Sequence, residues 1–193
     1  LKKANVAQIE AMRIGPNHFN IFEATLYKDA LKRITFEKQL RRAVINDEFE
    51  LFYQPRISLT DKSVIGCEAL IRWHHPEGKL VYPGDFIGLA ESVGFIREIT
   101  KWVVKTVARQ AVVWEQMGCD VKISFNISGK EFDDDFIEML SRVITEEKVK
   151  PELLEVEITE TATLEDLEHS RILVNTLNDL GLSVALDDFG TGY

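Results

Sequence analysis

From Glu50 onward, short apolar runs of strand length alternate with longer segments of helical periodicity. This alternation constrains the fold more than any other feature of the chain, because it is typical of βα units that repeat around a mostly parallel sheet. Only Thr60-Asp61-Lys62 separates the first two runs, so these strands must form an antiparallel hairpin. The later connections are long enough for parallel crossovers. The pattern predicts strands at 50–59, 63–72, 121–127, 152–159 and 182–188, and helices near 84–92, 95–117, 130–147 and 164–180.

The predicted fold class is α/β: a TIM-like (β/α) barrel with an antiparallel first strand, only partly covered by this chain. A complete barrel of this kind has about 250 residues and eight strands, whereas five strands are predicted between Glu50 and Tyr193. An open sheet that ends with the fifth strand is the alternative. Because a last strand rich in Val, Ala and Leu would be an aggregation-prone edge, we favour a barrel that continues beyond Tyr193, or a partner that covers this edge.

The chain before Glu50 follows a different pattern. It predicts a helix at 4–14, a stop at Gly15-Pro16-Asn17, a short extended piece at 18–22 and a second helix at about 26–44. One face of the second helix is rich in Arg, Lys and Glu, which is typical of a connector between domains.

The composition excludes several classes of partner. The formal net charge of −9 argues against broad attraction to nucleic acid, so no DNA partner is expected. No apolar run approaches the ~20 residues of a membrane span, which predicts no membrane contact from this segment. Cys67 and Cys119 lie far apart, which favours two buried thiols in a reducing compartment over a disulfide. We therefore expect a cytoplasmic location, with any membrane anchor lying in an upstream region of the parent protein.

Four of the predicted strands carry an oxygen-bearing side chain near the carboxyl end. These residues are Glu68, Asn126, Glu157 and Asp187. Because side chains alternate between faces along a strand, each shares its face with other polar or small residues. The opposite, helix-covered faces hold Val156, Ile158, Val184 and Leu186. The carboxyl ends of parallel strands meet at one edge of a sheet, so the pattern predicts a single polar cluster there. The alternative is a set of unrelated polar residues, with Asp187-Asp188 forming a solvated turn.

A polar cluster of this kind calls for a cation, because clustered carboxylates repel one another and lose hydration. Oxygen ligands without His or Cys suit a hard divalent ion, Mg2+ or Mn2+, and argue against structural zinc. Asp188 next to Asp187 allows one carboxylate for each of two ions, the arrangement that activates water and stabilises the leaving oxygen in phosphodiester cleavage. The predicted metal ligands are Glu68, Asn126, Glu157, Asp187 and Asp188.

Three further side chains fit a phosphodiester site. Arg72 shares a strand face with Glu68, and a guanidinium there suits a phosphate oxygen, with a rim salt bridge as an almost equal alternative. Gln54 offers an amide near the end of the first strand, which is a weaker signal. Glu160 follows the fourth strand and either holds the backbone of Gly190-Thr191-Gly192 or begins a helix.

These residues belong to segments that resemble the EAL family of cyclic di-GMP phosphodiesterases. The segments occur in the family's order and are Tyr53-Gln54-Pro55, Glu68-Ala69-Leu70-Ile71-Arg72-Trp73, Pro83-Gly84-Asp85-Phe86-Ile87, Ala90-Glu91, Phe125-Asn126-Ile127-Ser128, Glu157-Ile158-Thr159-Glu160 and Asp187-Asp188-Phe189-Gly190-Thr191-Gly192. The resemblance implies a βα barrel with one antiparallel strand, and hydrolysis of cyclic di-GMP to linear pGpG with Mg2+ or Mn2+ in bacterial second-messenger signalling. It leaves a homodimer through the EAL domain open.

The resemblance also implies a role for each matching residue. The implied catalytic residues are Glu68, Asp187, Asp188 and Glu160. Asp188 would bind the second ion and act on the attacking water, and Glu160 would anchor the loop after the fifth strand. Arg72 and Gln54 would contact the dinucleotide.

The N-terminal piece, from Ala4-Asn5 through Gly15-Pro16-Asn17-His18-Phe19, resembles the last helix and strand of a GGDEF domain. The predicted organisation is therefore a GGDEF-like remnant at 1–24, a connector helix at 25–48 and the N-terminal part of an EAL domain at 49–193. In the family, a later lysine, a further carboxylate and a glutamine follow the segment that ends here at Tyr193. We therefore expect the parent protein to be the enzyme and this segment alone to be inactive. A catalytically inactive cyclic di-GMP receptor or an interaction module is the alternative.

Overall fold

The computed structural model describes residues 24–159 and 167–187, together with the single helical positions Gln8 and Met12. Of residues 24–33 it describes the helical backbone alone. The rest of the helix predicted at 4–14, the extended piece at 18–22, Glu160 and Asp188 lie outside the described residues. The chain divides into two compact units, Leu1–Arg42 and Ala43–Tyr193.

One long helix, α1, runs from Ala24 to Ile45 and ends three residues inside the second unit. Its bounds agree with the helix predicted at about 26–44. An ion pair one turn apart joins Arg41 to Glu37 with an N–O distance of 3.2 Å, an arrangement that stabilises an exposed helix by ~0.3 kcal/mol. In the described ranges, neither α1 nor any other helix is long and apolar enough to cross a membrane.

The second unit is built around a six-stranded sheet. Its strands are β1 (Phe49–Ile57), β2 (Val64–His75), β3 (Lys79–Val81), β4 (Lys122–Asn126), β5 (Leu154–Thr159) and β6 (Ser183–Asp187). They pair in the order β1-β2-β4-β5-β6, with β3 beside β2. Strand β1 is antiparallel to β2, whereas β2, β4, β5 and β6 are parallel to one another. The α/β class and the antiparallel first strand are thereby confirmed, and the sheet formed by the described strands is not closed.

The sequence pattern misses β3 and ends β2 too early. His74 and His75 continue β2 because they pair with Leu80 and Lys79 of β3. Gly78 makes the turn between the two strands with a φ of 78°, a conformation that favours glycine. A strand of three residues is too short to give a periodic signal, so the extension that depends on it could not be predicted.

Helices connect the strands of the second unit. Those described are α2 (Pro83–Ser92), α3 (Ile96–Gln116), α4 (Asp134–Glu147) and α5 (Leu167–Asp179). The prediction that a helix begins at 130 is wrong, because Asp133 caps α4: its Oδ1 accepts a hydrogen bond from the backbone N–H of Phe136 at 3.0 Å. Residues Gly129–Glu131 form a separate 3-10 turn before this cap.

The hydrophobic core lies between the sheet and these helices. The completely buried strand residues include Ile123, Phe125, Val156 and Ile158, and their helical counterparts include Val104, Val107, Leu140 and Leu177. The helix-covered face predicted for Val156 and Ile158 is confirmed. The same prediction is wrong for Leu186, whose side chain is 50% exposed because β6 is the edge of the described sheet.

Both cysteines are free thiols, so the prediction that they form no disulfide is confirmed. Cys67 is buried in β2, whereas Cys119 is exposed. The predicted burial of Cys119 is wrong because this residue follows Gly118 in the turn after α3, where the chain runs along the surface.

Candidate functional site

The parallel strands bring the predicted polar residues to one edge of the sheet. Asn126 and Asp187 are the last residues of β4 and β6, and Glu157 lies two residues before the end of β5. In the register of the sheet, Asn126 is aligned with Glu157, and Glu68 is aligned with Ser124. The four candidate ligands Glu68, Asn126, Glu157 and Asp187 therefore come from four neighbouring strands.

Two of these candidate ligands are in direct contact. The Nδ2 amide of Asn126 donates a hydrogen bond to Oε1 of Glu68, with an N–O distance of 2.7 Å. This contact joins β4 to β2 and leaves the amide oxygen of Asn126 as an acceptor. The pair presents amide and carboxylate oxygens on the same face.

Glu157 is the most buried carboxylate of the site, with 8% of its surface exposed. Burial raises the pKa of its carboxyl, a hydrogen bond from Ser124 opposes the rise, and the negative charge of Glu68 adds to it. Arg56 lowers this pKa and Asp187 raises it further. The three carboxylates are therefore close enough to repel one another, and a cation placed among them would stabilise the charged form of Glu157.

Arg56 is a site residue that the sequence pattern misses. Its Nη1 donates to Oε1 of Glu155 at 2.7 Å, and its Nη2 donates to Oε1 of Glu157 at 2.5 Å. It also donates to the hydroxyl of Ser124. Although burial opposes the change, the contact with Glu155 and the charges of Glu157 and Glu68 raise the pKa of Arg56. The available signal was strand parity, since Arg56 shares a strand face with Gln54.

The two predicted substrate-binding residues lie on the paired strands β1 and β2. Gln54 is aligned with Glu68 across the antiparallel pair. The Arg72 guanidinium carbon lies 4.8 Å from the ring centroid of Tyr82 and 5.6 Å from that of Phe52. Within the described ranges Arg72 forms no ion pair, so the predicted alternative of a rim salt bridge is not found there.

The oxygen donors fit a hard divalent cation, because they are carboxylates and an amide and because burial and repulsion act on Glu157. The described side chains include no group of three or more His, Cys, Asp or Glu residues able to hold a metal ion. Asp188, the remaining predicted ligand, and Glu160, the predicted loop anchor, lie outside the described residues. The fit therefore rests on the chemistry and strand positions of the donors.

The fold and its polar strand ends define an α/β domain of the TIM-barrel type. The sequence model of the EAL domain matches residues 37–193, and the chain belongs to the EAL domain family. The resemblance of the EAL segments is thereby confirmed, whereas nothing tests the resemblance of the N-terminal piece to a GGDEF domain.

Several relatives from bacteria are similar over the whole chain. Signaling protein YkoW of Bacillus subtilis is 36% identical over 194 residues, which cover 100% of this chain and 24% of the relative. The bifunctional diguanylate cyclase/cyclic di-GMP phosphodiesterase MucR of Pseudomonas aeruginosa is 32% identical, over 98% of this chain and 28% of the relative. Cyclic di-GMP phosphodiesterase PdeR of Escherichia coli is 33% identical, over 100% of this chain and 29% of the relative. The chain thus spans less than a third of the length of these relatives.

Solved structures show the same architecture. The PaMucR phosphodiesterase in complex with c-di-GMP has a TM-score of 0.79 and 33% identity, over 82% of this chain and 65% of that chain. An EAL domain protein from Listeria monocytogenes has a TM-score of 0.69 and 28% identity, over 81% of this chain and 61% of that chain. The chain is therefore related to proteins of cyclic di-GMP signalling in both sequence and fold.

Proposed function

We propose that the protein containing this chain is a metal-dependent phosphodiesterase that hydrolyses cyclic di-GMP to linear pGpG in bacterial signalling. The observation that carries the proposal is that four neighbouring strands supply Glu68, Asn126, Glu157 and Asp187. Asn126 is aligned with Glu157, while Glu68 lies two residues before this register position and Asp187 two residues after it. The relatives named as cyclic di-GMP phosphodiesterases support it.

In this proposal the polar cluster holds Mg2+ or Mn2+. Its ligands would be Glu68, Asn126, Glu157, Asp187 and Asp188, the last two allowing two ions. When bound, the ions supply activation of the attacking water and stabilisation of the leaving oxygen. The chain's own contribution is to orient the ligand oxygens. Asn126 holds Glu68 by a hydrogen bond, and Glu157 is buried beside the negative charges of Glu68 and Asp187, which favour binding of a cation.

Substrate binding would use the face beside this cluster. Arg72 is free of ion pairs in the described part of the chain, and its guanidinium can therefore bind a phosphate oxygen of the dinucleotide. Gln54, opposite Glu68, would donate its amide to the same ligand. Glu160 would anchor the loop that carries Asp188.

The experiment is to incubate the purified full-length protein with cyclic di-GMP and Mg2+ or Mn2+, and to quantify pGpG by chromatography. We expect hydrolysis by the wild type and a loss of at least ~100-fold in Glu68→Ala, because catalysis by the bound ions depends on the ligand. Glu138→Ala is the matched control, since this exposed carboxylate on α4 pairs with Arg142 alone among the residues that the structure describes. Absence of hydrolysis, or equal rates in wild type and Glu68→Ala, would contradict the proposal.

A second candidate is a cyclic di-GMP receptor or interaction module without catalysis. The contact between Arg56 and Glu157 favours it, because a guanidinium can take the place of a metal ion beside a carboxylate. Cyclic di-GMP binding in calorimetry without any pGpG formation would select the receptor, and absence of nucleotide binding would select the interaction module.

We also propose the domain organisation predicted above, with a GGDEF-like remnant at 1–24, a connector helix at 25–48 and an EAL domain from 49. MucR, named a bifunctional diguanylate cyclase and phosphodiesterase, supports it because the similarity covers 98% of the chain. A cytoplasmic location and a homodimer through the EAL domain stay predictions.

A further inference from the structure

Arg56 connects strands that are not neighbours in the sheet. It lies on β1, whereas its two carboxylate partners lie on β5, and β2 and β4 stand between them in the strand order. Its guanidinium also donates a hydrogen bond to the hydroxyl of Ser124 on β4, which lies between these strands. One side chain therefore spans the polar face from the first strand to the strand that carries Glu157.

The contact lies at the boundary between protein and solvent. The two carboxylate side chains are mostly removed from water: 15% of the Glu155 side chain and 11% of the Glu157 side chain are exposed. The side chain of Arg56 is 39% exposed. Charge-assisted contacts of this kind hold a carboxylate in one orientation more firmly than water does. The orientation of Glu157 is therefore set by Arg56 from one side.

The two carboxylates differ in how far they depend on Arg56. Glu155 has a second cation nearby, since Nζ of Lys122 lies 4.0 Å from its Oε2. For Glu157, Arg56 is the one ion-pair partner among the described residues. The guanidinium contacts Oε1 of Glu157, so Oε2 is the oxygen that faces no ion pair in this part of the chain.

We propose that Arg56 is a positioning residue of the site: it holds Oε1 of Glu157 and thereby presents Oε2 to a divalent cation. This inference rests on the proposed function, because it requires Glu157 to bind a metal ion. Partners that orient a ligating carboxylate typically change metal affinity or activity by ~10–100-fold when they are removed. Arg56 would belong to this class, because it would act through its contact with Glu157.

The test is a direct measurement of Mn2+ binding to the full-length protein, by electron paramagnetic resonance of the free ion. We expect Arg56→Met to weaken Mn2+ binding by ~10-fold or more. At saturating Mn2+, the KM for cyclic di-GMP should stay near the wild-type value, because the proposed substrate-binding residues Gln54 and Arg72 are unchanged. Arg56→Lys keeps the charge but not the fork that spans Glu155 and Glu157, so its Mn2+ affinity should lie between those of wild type and Arg56→Met. This variant carries the test if Arg56→Met does not fold.

Lys122→Met is the matched control, because it removes a cation beside Glu155 and leaves the Arg56–Glu157 contact in place. Its Mn2+ affinity should equal that of the wild type. Tighter binding in Arg56→Met would overturn the inference and make Arg56 a competitor of the metal ion. Unchanged binding in Arg56→Met, with normal binding and hydrolysis by the wild type, would overturn the positioning role alone. A wild type that neither binds Mn2+ nor forms pGpG would overturn the proposed function as well.

Discussion

Among the described residues, aromatic rings rather than carboxylates contact the guanidinium of Arg72. It lies over Tyr82 and Phe52, and its Nη1 donates to the carbonyl of Ile71 at 2.8 Å. Stacking of this kind restricts the side chain without neutralising its charge, and most of its N–H groups stay available for an anion. An arginine fixed in this way is suited to a phosphate, which supports the substrate-binding role proposed for it.

Replacing the nearer ring should therefore weaken substrate binding. Loss of an exposed cation–π contact costs ~0.5–1 kcal/mol, so Tyr82→Leu should raise the KM for cyclic di-GMP by about two- to fivefold with little change in kcat. Tyr82→Phe keeps the ring and serves as the control, with kinetics near the wild type. Steady-state kinetics of the full-length protein check this, and a Leu variant with the KM of the Phe variant would disprove the ring's role.

Most candidate ligands are predictable from sequence, because Asn126, Glu157 and Asp187 fall at or near strand ends. Glu68 shares their face, but it lies in the middle of β2, since β2 continues to His75. Glu68 and Asn126 are in contact as the predicted cluster requires, although 58 residues separate them. Strand parity places Arg56 on the same face as Gln54, but it does not predict which carboxylates Arg56 contacts. Its carboxylate partners lie 99 and 101 residues further along the chain, and only the curvature and strand order of the folded sheet bring them within its reach.

The turn between β4 and α4 contains a buried carboxylate outside the site. Glu131 is 3% exposed and accepts a hydrogen bond from the hydroxyl of Thr100 on α3 at 2.5 Å. Burial raises its pKa; the hydrogen bond from Thr100 and the charge of Arg97 oppose the rise, and Asp133 and Glu91 add to it. The packing of α3 against the turn that precedes α4 therefore depends on the charge of one glutamate.

Stability should depend on pH through this residue. Because the folded pKa of Glu131 is raised, the folded state holds its proton more firmly, and the resulting stabilisation is present at acid pH and lost as pH rises through that pKa. Glu131→Gln, which resembles the protonated form, should raise the thermal midpoint of the full-length protein at pH 7. The difference should shrink toward zero at acid pH, where Glu131 is itself protonated.

Thermal unfolding at a series of pH values measures this difference. Glu138→Gln, an exposed change on α4, should show no such dependence. A Glu131→Gln variant that is less stable than the wild type at pH 7 would show that the charged form is favoured in the fold.

At the level of elements, the hairpin and the parallel crossovers follow from the lengths of the connections, whereas element ends depend on contacts made by single residues. The apolar pattern predicts that helix α4 exists, but the residue at which the helix begins is set by the cap at Asp133. The end of β2 is decided by pairing with β3, which has no signal of its own. Such boundaries are set by one or two hydrogen bonds, and periodicity averages over too many residues to detect them.

At the scale of the whole molecule, the fold brings carboxylates from separate strands together at the candidate metal site. The chain carries a formal net charge of −9, and Glu68, Glu157 and Asp187 lie near one another at the polar edge of the sheet. A folded state that binds a metal ion here gains stability by mass action, about 2.7 kcal/mol at a metal concentration of 100 times the Kd. Folding and metal binding should therefore be coupled across the four strands that supply the ligands.

Removal of the metal should expose this coupling. Addition of EDTA to the full-length protein in excess Mn2+ should lower the thermal midpoint of the wild type, because repulsion among the carboxylates is no longer compensated. Asp187→Asn should bind Mn2+ weakly, and EDTA should shift its midpoint much less. Glu138→Ala should respond to EDTA as the wild type does, and equal EDTA shifts in all three proteins would place the bound metal elsewhere.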